Sequence, residues 1–414
     1  MKKKVLVRGP VLSQSGYGEQ SRFALRALRS RPDLFDVFIQ PTAWGQTGWI
    51  WQHDDFRKWM DERITLTQVL NHKNQLYIDT TLQITIPNEF EKLAGENIGY
   101  TAGIETTKVS PQWLQKGNEQ VDKILVVSNH AKETFINTEV EAVNEATGQR
   151  IPYSLKTPVD VVWENTVRSE PEDIPGFKLN TEFNFLMVSQ MGPRKNFENT
   201  IQWWVEEFVD QNVGLVVKTN IKNNSNIDRL QTLKTVKNML EKYPDRKCKV
   251  YLLHGDLTSG QMTGLYSNSK IKALINIAHG EGFGLPLYEA AREALPIITI
   301  GWSGQQDFLH HDGKDYFQSV EYNLAPIQKE AVWPGVLEES SQWAFADQGS
   351  YKMSLRKIYK NWDNAKKRAE ELKKINDEKF SDEVLFKRFC SFFYDEKKNE
   401  EIESEIDALL QDLL

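Results

Sequence analysis

Two glutamates, Glu281 and Glu289, flank a glycine-containing loop whose residue types suit the binding of a charged ligand. The apolar run before the loop predicts a strand, and Pro286 is well placed in the first turn of a helix after it. The loop therefore offers backbone amides and a helix N-terminus, both of which favour a phosphate group. One carboxylate could then lie beside a reacting carbon while the other binds ribose hydroxyls. The loop residues are Gly282, Phe283, Gly284 and Leu285.

A second pair of glycines, Gly16 and Gly18, lies between an N-terminal apolar run and an amphipathic stretch that starts near Phe23. This position also predicts backbone amides at a helix start. With Ser21, the glycines form an incomplete fingerprint for dinucleotide binding, which raises a nicotinamide-dependent oxidoreductase as an alternative function. That fingerprint requires an acidic ribose ligand at the end of the next strand, where the chain has Gln40. The sequence therefore disfavours the oxidoreductase.

Short apolar runs alternate with helical patterns along the chain, which is typical of a parallel α/β sheet. The first runs are residues 5–7, 35–39 and 124–127. After a polar, proline-containing stretch the runs resume at residues 183–188, 213–217, 250–253, 273–278 and 296–300. The sequence thus predicts two Rossmann-like domains with a hinge near residues 168–180, followed by a helical C-terminal region after Ser350.

The composition excludes several classes of protein. The chain has 414 residues, enough for two or three domains, and its net charge of −7 gives no general attraction to nucleic acid. Its two cysteines lie far apart and in no ligand-like spacing with histidine, which excludes a disulfide framework and a cysteine-based zinc site. No apolar run approaches the roughly 20 residues that span a bilayer. We therefore predict a cytoplasmic protein with no membrane span.

The segment from Glu281 to Glu289 resembles the donor-site motif of retaining GT-B glycosyltransferases of family 4, in which two such glutamates bracket a Gly-Phe-Gly-Leu-Pro loop. The resemblance implies two Rossmann-like domains facing each other across a cleft. It also implies transfer of a sugar from a nucleotide-diphosphate sugar, with a UDP-sugar favoured, to a hydroxyl acceptor with anomeric retention. Glu281 would then act on the sugar side and Glu289 on the ribose, and no metal or other cofactor would be required.

The same resemblance assigns roles to two other loops. Gly16 and Gly18 would face the donor diphosphate across the cleft, and the loop ending at Leu257 would contact the nucleotide base, largely through backbone atoms. A small-residue turn at 301–308 looks like the family's turn that helps close the donor pocket.

Charged residues match the family in part. Lys195 corresponds to the lysine of its diphosphate clamp and would stabilise the charge that develops on the leaving group. The usual clamp arginine is missing, because Gln190 and Met191 occupy its region, so Arg194 would have to act from a shifted position. Glu105, ahead of a Pro-x-Trp turn, is similar to an acid in a subgroup's cleft wall and would contact the acceptor or the donor sugar. A carboxylate that caps the next helix is the alternative for Glu105.

The resemblance also implies how the chain is divided. Residues 1–172 would form the acceptor-side domain, completed by a C-terminal helix at about 381–398, and residues 173–380 the donor domain. Residues 399–414 read as an acidic amphipathic tail helix, because their leucines and isoleucines share one face. This C-terminal helix would pack on its own chain or join two copies into a homo-oligomer.

The acceptor is left open by the sequence. Trp44 to Trp51, with Phe56 and Trp59, could stack on a sugar or a nucleobase, or simply pack beneath a loop. The overall pattern also resembles glycosyltransferase-like proteins of tailed bacteriophages. This resemblance implies a third candidate acceptor beside a carbohydrate and a protein, namely a hydroxymethylated base in phage DNA, and it would place the protein in the host cytoplasm. A basic patch for DNA would draw on Lys2, Lys3, Lys4, Arg22, Arg26 and Arg29.

A protein of the same fold that binds nucleotide sugars or glycans without catalysis is the alternative function. The intact acids Glu281 and Glu289, together with Lys195, argue against it.

Overall fold

The computed structural model describes residues 2–143 and 148–394, so the predicted tail helix at 399–414 lies outside the described residues. An entirely parallel six-stranded sheet forms the first half, in the order β2-β1-β3-β4-β5-β8. Its strands are β1 (Lys3–Gly9), β2 (Phe35–Pro41), β3 (Thr80–Ile84), β4 (Glu96–Thr101), β5 (Lys123–Val126) and β8 (Val159–Val161). A separate hairpin consists of β6 (Glu139–Val143) and β7 (Arg150–Ser154).

A second parallel sheet has the order β11-β10-β9-β12-β13-β16. Its strands are β9 (Asn184–Val188), β10 (Gly214–Lys218), β11 (Lys249–Leu253), β12 (Ile271–Asn276), β13 (Ile297–Ile300) and β16 (Gln318–Val320). Two short hairpins follow β13 and β16, namely β14 (His310–His311) with β15 (Lys314–Asp315), and β17 (Tyr322–Pro326) with β18 (Gln342–Ala346). The two sheets confirm the predicted α/β class with two Rossmann-like units.

Helices connect most of the strands and cover both sheets. In the first half they are α1 (Gly16–Arg29), α2 (Asp55–His72), α3 (Pro111–Gln120) and α4 (Asn129–Asn137). In the second half they are α5 (Phe197–Phe208), α6 (Asn226–Leu240), α7 (Ser259–Tyr266), α8 (Leu285–Arg292) and α9 (Gln306–Leu309). The predicted helical C-terminal region contains α10 (Gln348–Lys360), α11 (Trp362–Lys379) and α12 (Asp382–Cys390). Single 3₁₀ turns occupy Pro87–Glu89, Pro193–Lys195 and Lys329–Ala331.

The last described helix returns to the first sheet. The ring of Phe389 on α12 lies 5.8 Å from that of Phe23 on α1, and Arg388 Nε donates to the carbonyl oxygen of Val161 at 3.1 Å. The proposed domain boundary between residues 172 and 173 falls in the segment that links β8 to β9. None of the helices in residues 2–143 and 148–394 combines the length and apolar character needed to cross a membrane.

Both sheets reverse their strand order at one point, and parallel α/β sheets bind ligands at the carboxyl ends of the strands beside such a point. In the first sheet the reversal lies between β1 and β3, and in the second between β9 and β12. The loops after β1 and β4 of the first sheet and the loops after β9 and β12 of the second line one cavity. These four loops carry most of the residues that the sequence singles out.

The chain between β17 and β18 forms an arm that reaches the first domain. Thr107 and Gln342 exchange two hydrogen bonds, since the Thr107 amide donates to the Gln342 carbonyl at 2.9 Å and the Gln342 amide donates to Thr107 Oγ1 at 3.0 Å. Asn88 Nδ2 donates to the carbonyl of Gly335 at 2.8 Å, and Val336 is buried in the first domain's core. The arm thus ties the two domains together at one end of the cleft.

Candidate active site

A cavity of about 1080 Å³ lies between the carboxyl ends of the two sheets and is lined by residues of both domains. Eleven of the twelve residues that the sequence proposes for the site line it. They are Gly16, Glu105, Arg194, Lys195, Leu257, Glu281, Gly282, Phe283, Gly284, Leu285 and Glu289. The structure therefore brings together segments that are up to about 270 positions apart in the sequence.

Hydrogen bonds from the turn at 301–308 support the loop after β12. The amide of Glu281 donates to Ser303 Oγ at 2.9 Å, and the Gly304 amide donates to the Glu281 carbonyl at 2.9 Å. Gly284 caps α8 with a φ of 97°, a conformation that favours glycine. Within the described part of the chain, the amides of residues 282–284 donate to no acceptor. The 301–308 turn therefore supports the loop from behind instead of lining the cavity, and the loop keeps donors for an anion.

The side chain of Phe283 packs in the protein core, and its backbone lines the cavity. The Phe283 ring is 3% exposed and packs on an aromatic cluster that includes Phe308, with ring centroids 5.0 Å apart, and Phe380. What Phe283 can present to a ligand is therefore its backbone.

Glu281 is a buried carboxylate held by two cations. Lys195 Nζ lies 2.6 Å from each of its oxygens, Arg194 Nη1 lies 3.0 Å from Oε2, and Asn276 Nδ2 donates to Oε1 at 3.1 Å. Burial opposes ionisation, but the charges of Lys195 and Arg194 and these hydrogen bonds outweigh it and lower the pKa of Glu281 to about 2. Glu281 is thus a carboxylate at any ordinary pH.

Arg194 links the two domains. Its Nη1 atom donates to the Gly280 carbonyl at 2.7 Å and lies 3.3 Å from Glu105 Oε1 on the first domain. Gly280 also touches that domain, because a Cβ there would lie 2.4 Å from the Glu105 carbonyl oxygen. Arg194 therefore does reach the site from its shifted position, paired with two carboxylates.

Glu289 lies in a different environment from Glu281. It follows the first turn of α8, and its Oε2 atom accepts a hydrogen bond from Tyr266 Oη at 2.9 Å. Burial raises the pKa of Glu289, and the charge of Arg292 offsets this only in part. The two acids of the motif therefore face one cavity with opposite pKa shifts, which suits different roles.

The two N-terminal glycines differ in position. A Cβ at Gly16 would meet nothing within 4 Å, and Gly16 lines the cavity at the start of α1. Gly18 does not line it, because its amide donates to Ser15 Oγ at 3.1 Å and a Cβ there would lie 2.0 Å from the Ser13 carbonyl oxygen. Gly18 is therefore a packing residue that allows α1 to start close to this loop, and the expectation that it faces a ligand is not met.

Polar contacts hold the loop that follows β11 and ends at Leu257. His254 Nε2 lies 2.8 Å from Asp228 Oδ1, and the Gly255 carbonyl accepts from Lys218 Nζ at 2.9 Å. Leu257, at the end of this loop, lines the cavity.

Aromatic residues stand on the first-domain side and on the arm. Trp44 packs on Tyr17 with ring centroids 4.2 Å apart and also lines the cavity. Trp51 and the arm residue Trp333 line the cavity as well and are 57% and 58% exposed. Trp49 is also exposed but does not line the cavity. The predicted aromatic segment thus divides into packing and accessible rings.

The basic residues suggested for DNA contact do not form one patch. Arg22 and Arg26 both pair with Glu19 inside the cavity, at 2.9 and 3.0 Å. Lys3 pairs with Glu96 at 2.6 Å elsewhere on the domain. These two arginines are therefore paired within the chain.

Gln20, Glu164 and Thr166 are among the cavity-lining residues that the sequence analysis does not single out. They belong to α1 and to the segment after β8, which no motif marks. As for metal ligands, residues 2–143 and 148–394 contain no group of three or more His, Cys, Asp or Glu side chains that could hold an ion.

No protein-family model matches the chain. Among curated proteins, the serotype-specific mannosyltransferase WbdA of Escherichia coli is 35% identical over 118 residues, which are 28% of this chain and 13% of WbdA. The matched stretch is thus about one eighth of the length of that relative.

Solved structures resemble nearly the whole chain. Sucrose-phosphate synthase from Thermosynechococcus elongatus aligns with a TM-score of 0.58 and 12% identity, over 95% of this chain and 98% of that protein. A glycosyltransferase from Rickettsia africae aligns with a TM-score of 0.54 and 13% identity, over 98% of both chains. At this level of identity the likeness concerns the fold, which is the GT-B fold of glycosyltransferases.

Proposed function

We propose that this chain is a glycosyltransferase that moves a sugar from a nucleoside-diphosphate sugar to a hydroxyl group of an acceptor. The observation that carries the proposal is that Glu281 and Glu289 line one interdomain cavity together with Lys195 and the unpaired loop amides. The GT-B fold and the sequence similarity to a mannosyltransferase support the same reaction class.

The cations and amides would act on the leaving group. A departing nucleoside diphosphate gains negative charge, and preorganised donors stabilise that charge. Lys195 and Arg194 both pair with Glu281. A diphosphate would compete for both cations, so that donor binding and a rearrangement of this ion-pair cluster are one event.

The carboxylates would hold the two sugars of the donor. Glu281, ionised and 5% exposed, would accept hydrogen bonds from the hydroxyls of the transferred sugar. Glu289 would accept from the ribose, and Leu257 would lie near the base. Glu105, paired with Arg194 across the cleft, would contact the acceptor or the donor sugar and fix the position of the clamp.

Retention and metal independence extend the proposal and rest on the resemblance of the Glu281–Glu289 segment. The acceptor oxygen would approach the face of the anomeric carbon from which the phosphate oxygen departs. The bond to that phosphate oxygen breaks as the new bond forms, and the acceptor proton passes to the departing diphosphate. The favoured donor is a UDP-sugar.

A carbohydrate acceptor fits the site best. Trp51 and Trp333 offer exposed rings at the cavity, and such rings stack on the apolar faces of sugars. A protein side chain or a hydroxymethylated base in phage DNA are the other acceptors that the sequence raises. The commitment of Arg22 and Arg26 to Glu19 favours the carbohydrate over DNA.

The proposal is tested by incubating the purified chain with UDP-, GDP- and ADP-sugars and with NAD. Release of the nucleoside diphosphate, lost in the Glu281→Ala variant, is the expected result. Binding of a nucleotide sugar without turnover, even with a panel of saccharide acceptors, would favour the non-catalytic binding protein instead. Binding of NAD alone would contradict both.

A further inference from the structure

Three polar side chains on the first-domain side of the cavity have buried atoms without hydrogen-bond partners. Both polar atoms of Gln20, Glu164 Oε2 and Thr166 Oγ1 have no hydrogen-bond partner among residues 2–143 and 148–394, and all three residues line the cavity. Gln20 is 1% exposed and Glu164 4%. An unsatisfied buried polar group is costly and rare, so several that face one cavity point to a ligand.

The fold places these groups on one side of the cleft. Glu164 and Thr166 are two positions apart in the segment after β8 and both line the cavity. Asn165 between them points the other way, where its Nδ2 atom donates to Asp382 Oδ1 on α12 at 2.7 Å. Gln20 is on α1, so all three groups belong to the first-domain side.

The neighbouring cations are already engaged. Arg26 donates to Glu19 Oε1 at 3.0 Å and to the Asn165 carbonyl at 2.9 Å. Arg22 donates to Glu19 Oε2 at 2.9 Å and to the carbonyls of Val11 and Ser13. Both arginines are thus engaged by Glu19 and by backbone carbonyls, and the polar groups left without partners suit a hydroxyl-bearing part of a ligand.

This side of the cavity adjoins Glu289 of the second domain. Arg292, one turn after Glu289 on α8, donates to the carbonyl of Thr166 at 2.6 Å. Groups of both domains therefore surround the same end of the cavity.

We propose that Gln20, Glu164 and Thr166 form the first-domain half of the ribose subsite, opposite Glu289. This inference rests on the proposed function, which places a ribose at Glu289. An amide and two hydroxyl-bearing groups would donate to and accept from the ribose hydroxyls. The ribose would then bridge the domains, so that its hydroxyls contribute to cleft closure as well as to affinity.

The state of Glu164 fits this role. Burial and the charge of Glu19, opposed by Arg26, raise the pKa of Glu164 to about 8, so the group is an uncharged acid at neutral pH. The titratable groups around Glu164 are Glu19, Arg22, Arg26, Tyr17 and Tyr100 of the first domain. Glu289 and Arg292 of the second domain lie at the same end of the cavity.

The test compares a nucleoside diphosphate with its 2′,3′-dideoxy counterpart by isothermal titration calorimetry at pH 7, using whichever of UDP, GDP and ADP binds the full chain. We expect Gln20→Leu and Thr166→Val each to weaken binding of the ribonucleotide by roughly three- to tenfold, the effect of one lost hydrogen bond. Binding of the dideoxy form should change little. The preference for ribose should therefore shrink in each variant.

Thr299→Val is the matched control. Thr299 Oγ1 is also buried without a partner, but Thr299 lies on β13 and does not line the cavity. Its variant should keep the wild-type preference for ribose. Unchanged thermal melting of the Gln20 and Thr166 variants confirms that they are folded, and Glu164→Gln, which retains a neutral hydrogen-bonding group, is the milder variant.

The possible failures are distinguishable. A ribonucleotide that binds the wild type through Glu289 and binds the Gln20 and Thr166 variants equally well would overturn the subsite and leave the proposed function standing. A wild type that binds none of the three nucleotides would overturn both.

Discussion

Lys195 Nζ lies 2.6 Å from both carboxylate oxygens of Glu281. The pair sits at the junction of the domains with little exposure, so each charge depends on the other for its solvation. An incoming diphosphate supplies a second anion for the same lysine. A donor diphosphate would therefore compete with Glu281 for this lysine, and the two residues should not be separable in function.

Lys195→Met should lower the turnover of donor by roughly 100-fold or more, because one preorganised cation at the leaving group is lost. It should also lower the free energy of unfolding by about 3 kcal/mol, since Glu281 stays buried with Arg194 as its remaining cation. Steady-state kinetics and urea denaturation measure the two effects.

Lys352→Met is the control for this variant. Lys352 pairs with Glu206 at the same 2.6 Å distance but lies outside the cavity. Its loss should leave turnover unchanged. Equal turnover in the two variants would remove Lys195 from the mechanism.

Glu281→Ala and Glu289→Ala should affect different kinetic constants. The structure gives the two acids different neighbours, Lys195 for Glu281 and Tyr266 for Glu289. We expect the Glu289 variant to weaken nucleotide-sugar binding by roughly tenfold, as loss of a charged hydrogen-bond partner does. The Glu281 variant should chiefly lower kcat. Titration calorimetry and initial rates separate these outcomes, and wild-type kinetics in both variants would contradict the assignment.

Local patterns revealed the strands and loop that build the second half of the site. The run at 273–278 and the loop up to Glu289 are contiguous in sequence, so apolar periodicity, glycines and Pro286 were sufficient to predict a strand, a loop and a helix. By contrast β3 and β4 were missed. They carry buried polar residues, such as Thr81, whose hydroxyl donates to Asn97 Oδ1 at 2.9 Å, and such strands lack an apolar run.

The remainder of the site depends on contacts that no local pattern encodes. Gln20 and Glu164 are 144 positions apart and acquire meaning only when α1 and the segment after β8 meet at the cleft. The position of the arm between β17 and β18 also depends on long-range contacts, since its sequence does not indicate that Val336 enters the core of the other domain. Long-range packing decides both, and it follows from the whole fold.

Removal of metal should leave the reaction intact. The proposed mechanism stabilises the diphosphate with Lys195 and loop amides, so turnover of the donor in excess EDTA should equal turnover without it. Initial rates in EDTA, with and without added Mn²⁺ or Mg²⁺, check this. Loss of activity that returns with either cation would contradict metal independence.

Val336→Asp should release the arm from the first domain. Val336 is 8% exposed in an apolar cluster, and an unpaired carboxylate there is so costly that the tip should leave its site. Limited proteolysis should then cut between residues 327 and 341 in the variant but not in the wild type. Val384→Asp, at a position that is 45% exposed, should not change the cleavage pattern. An arm that stays protected in the Val336 variant would show that other contacts hold it.

Glu164 should make the protein less stable as the pH rises. Its folded pKa is about 8, above the ordinary value of 4.5, so the unfolded chain releases the proton first. Glu164 therefore leaves the free energy of unfolding unchanged below about pH 4.5. Its effect lowers that free energy between this pH and about 8 and is constant above. At pH 7 the loss should be on the order of 3 kcal/mol, from about 2.5 units at 1.36 kcal/mol each.

The variant Glu164→Gln should abolish this loss, so that its unfolding free energy exceeds that of the wild type at pH 7 and matches it near pH 4. Glu281 cannot mimic the effect, because its pKa of about 2 gives a contribution that is lost only as the pH falls toward that value. Denaturation curves from pH 4 to 8 measure the difference, and parallel curves for both proteins would contradict a neutral buried acid. A buried acid that lowers stability at neutral pH and lines the proposed ribose subsite is one that the fold retains for its ligand.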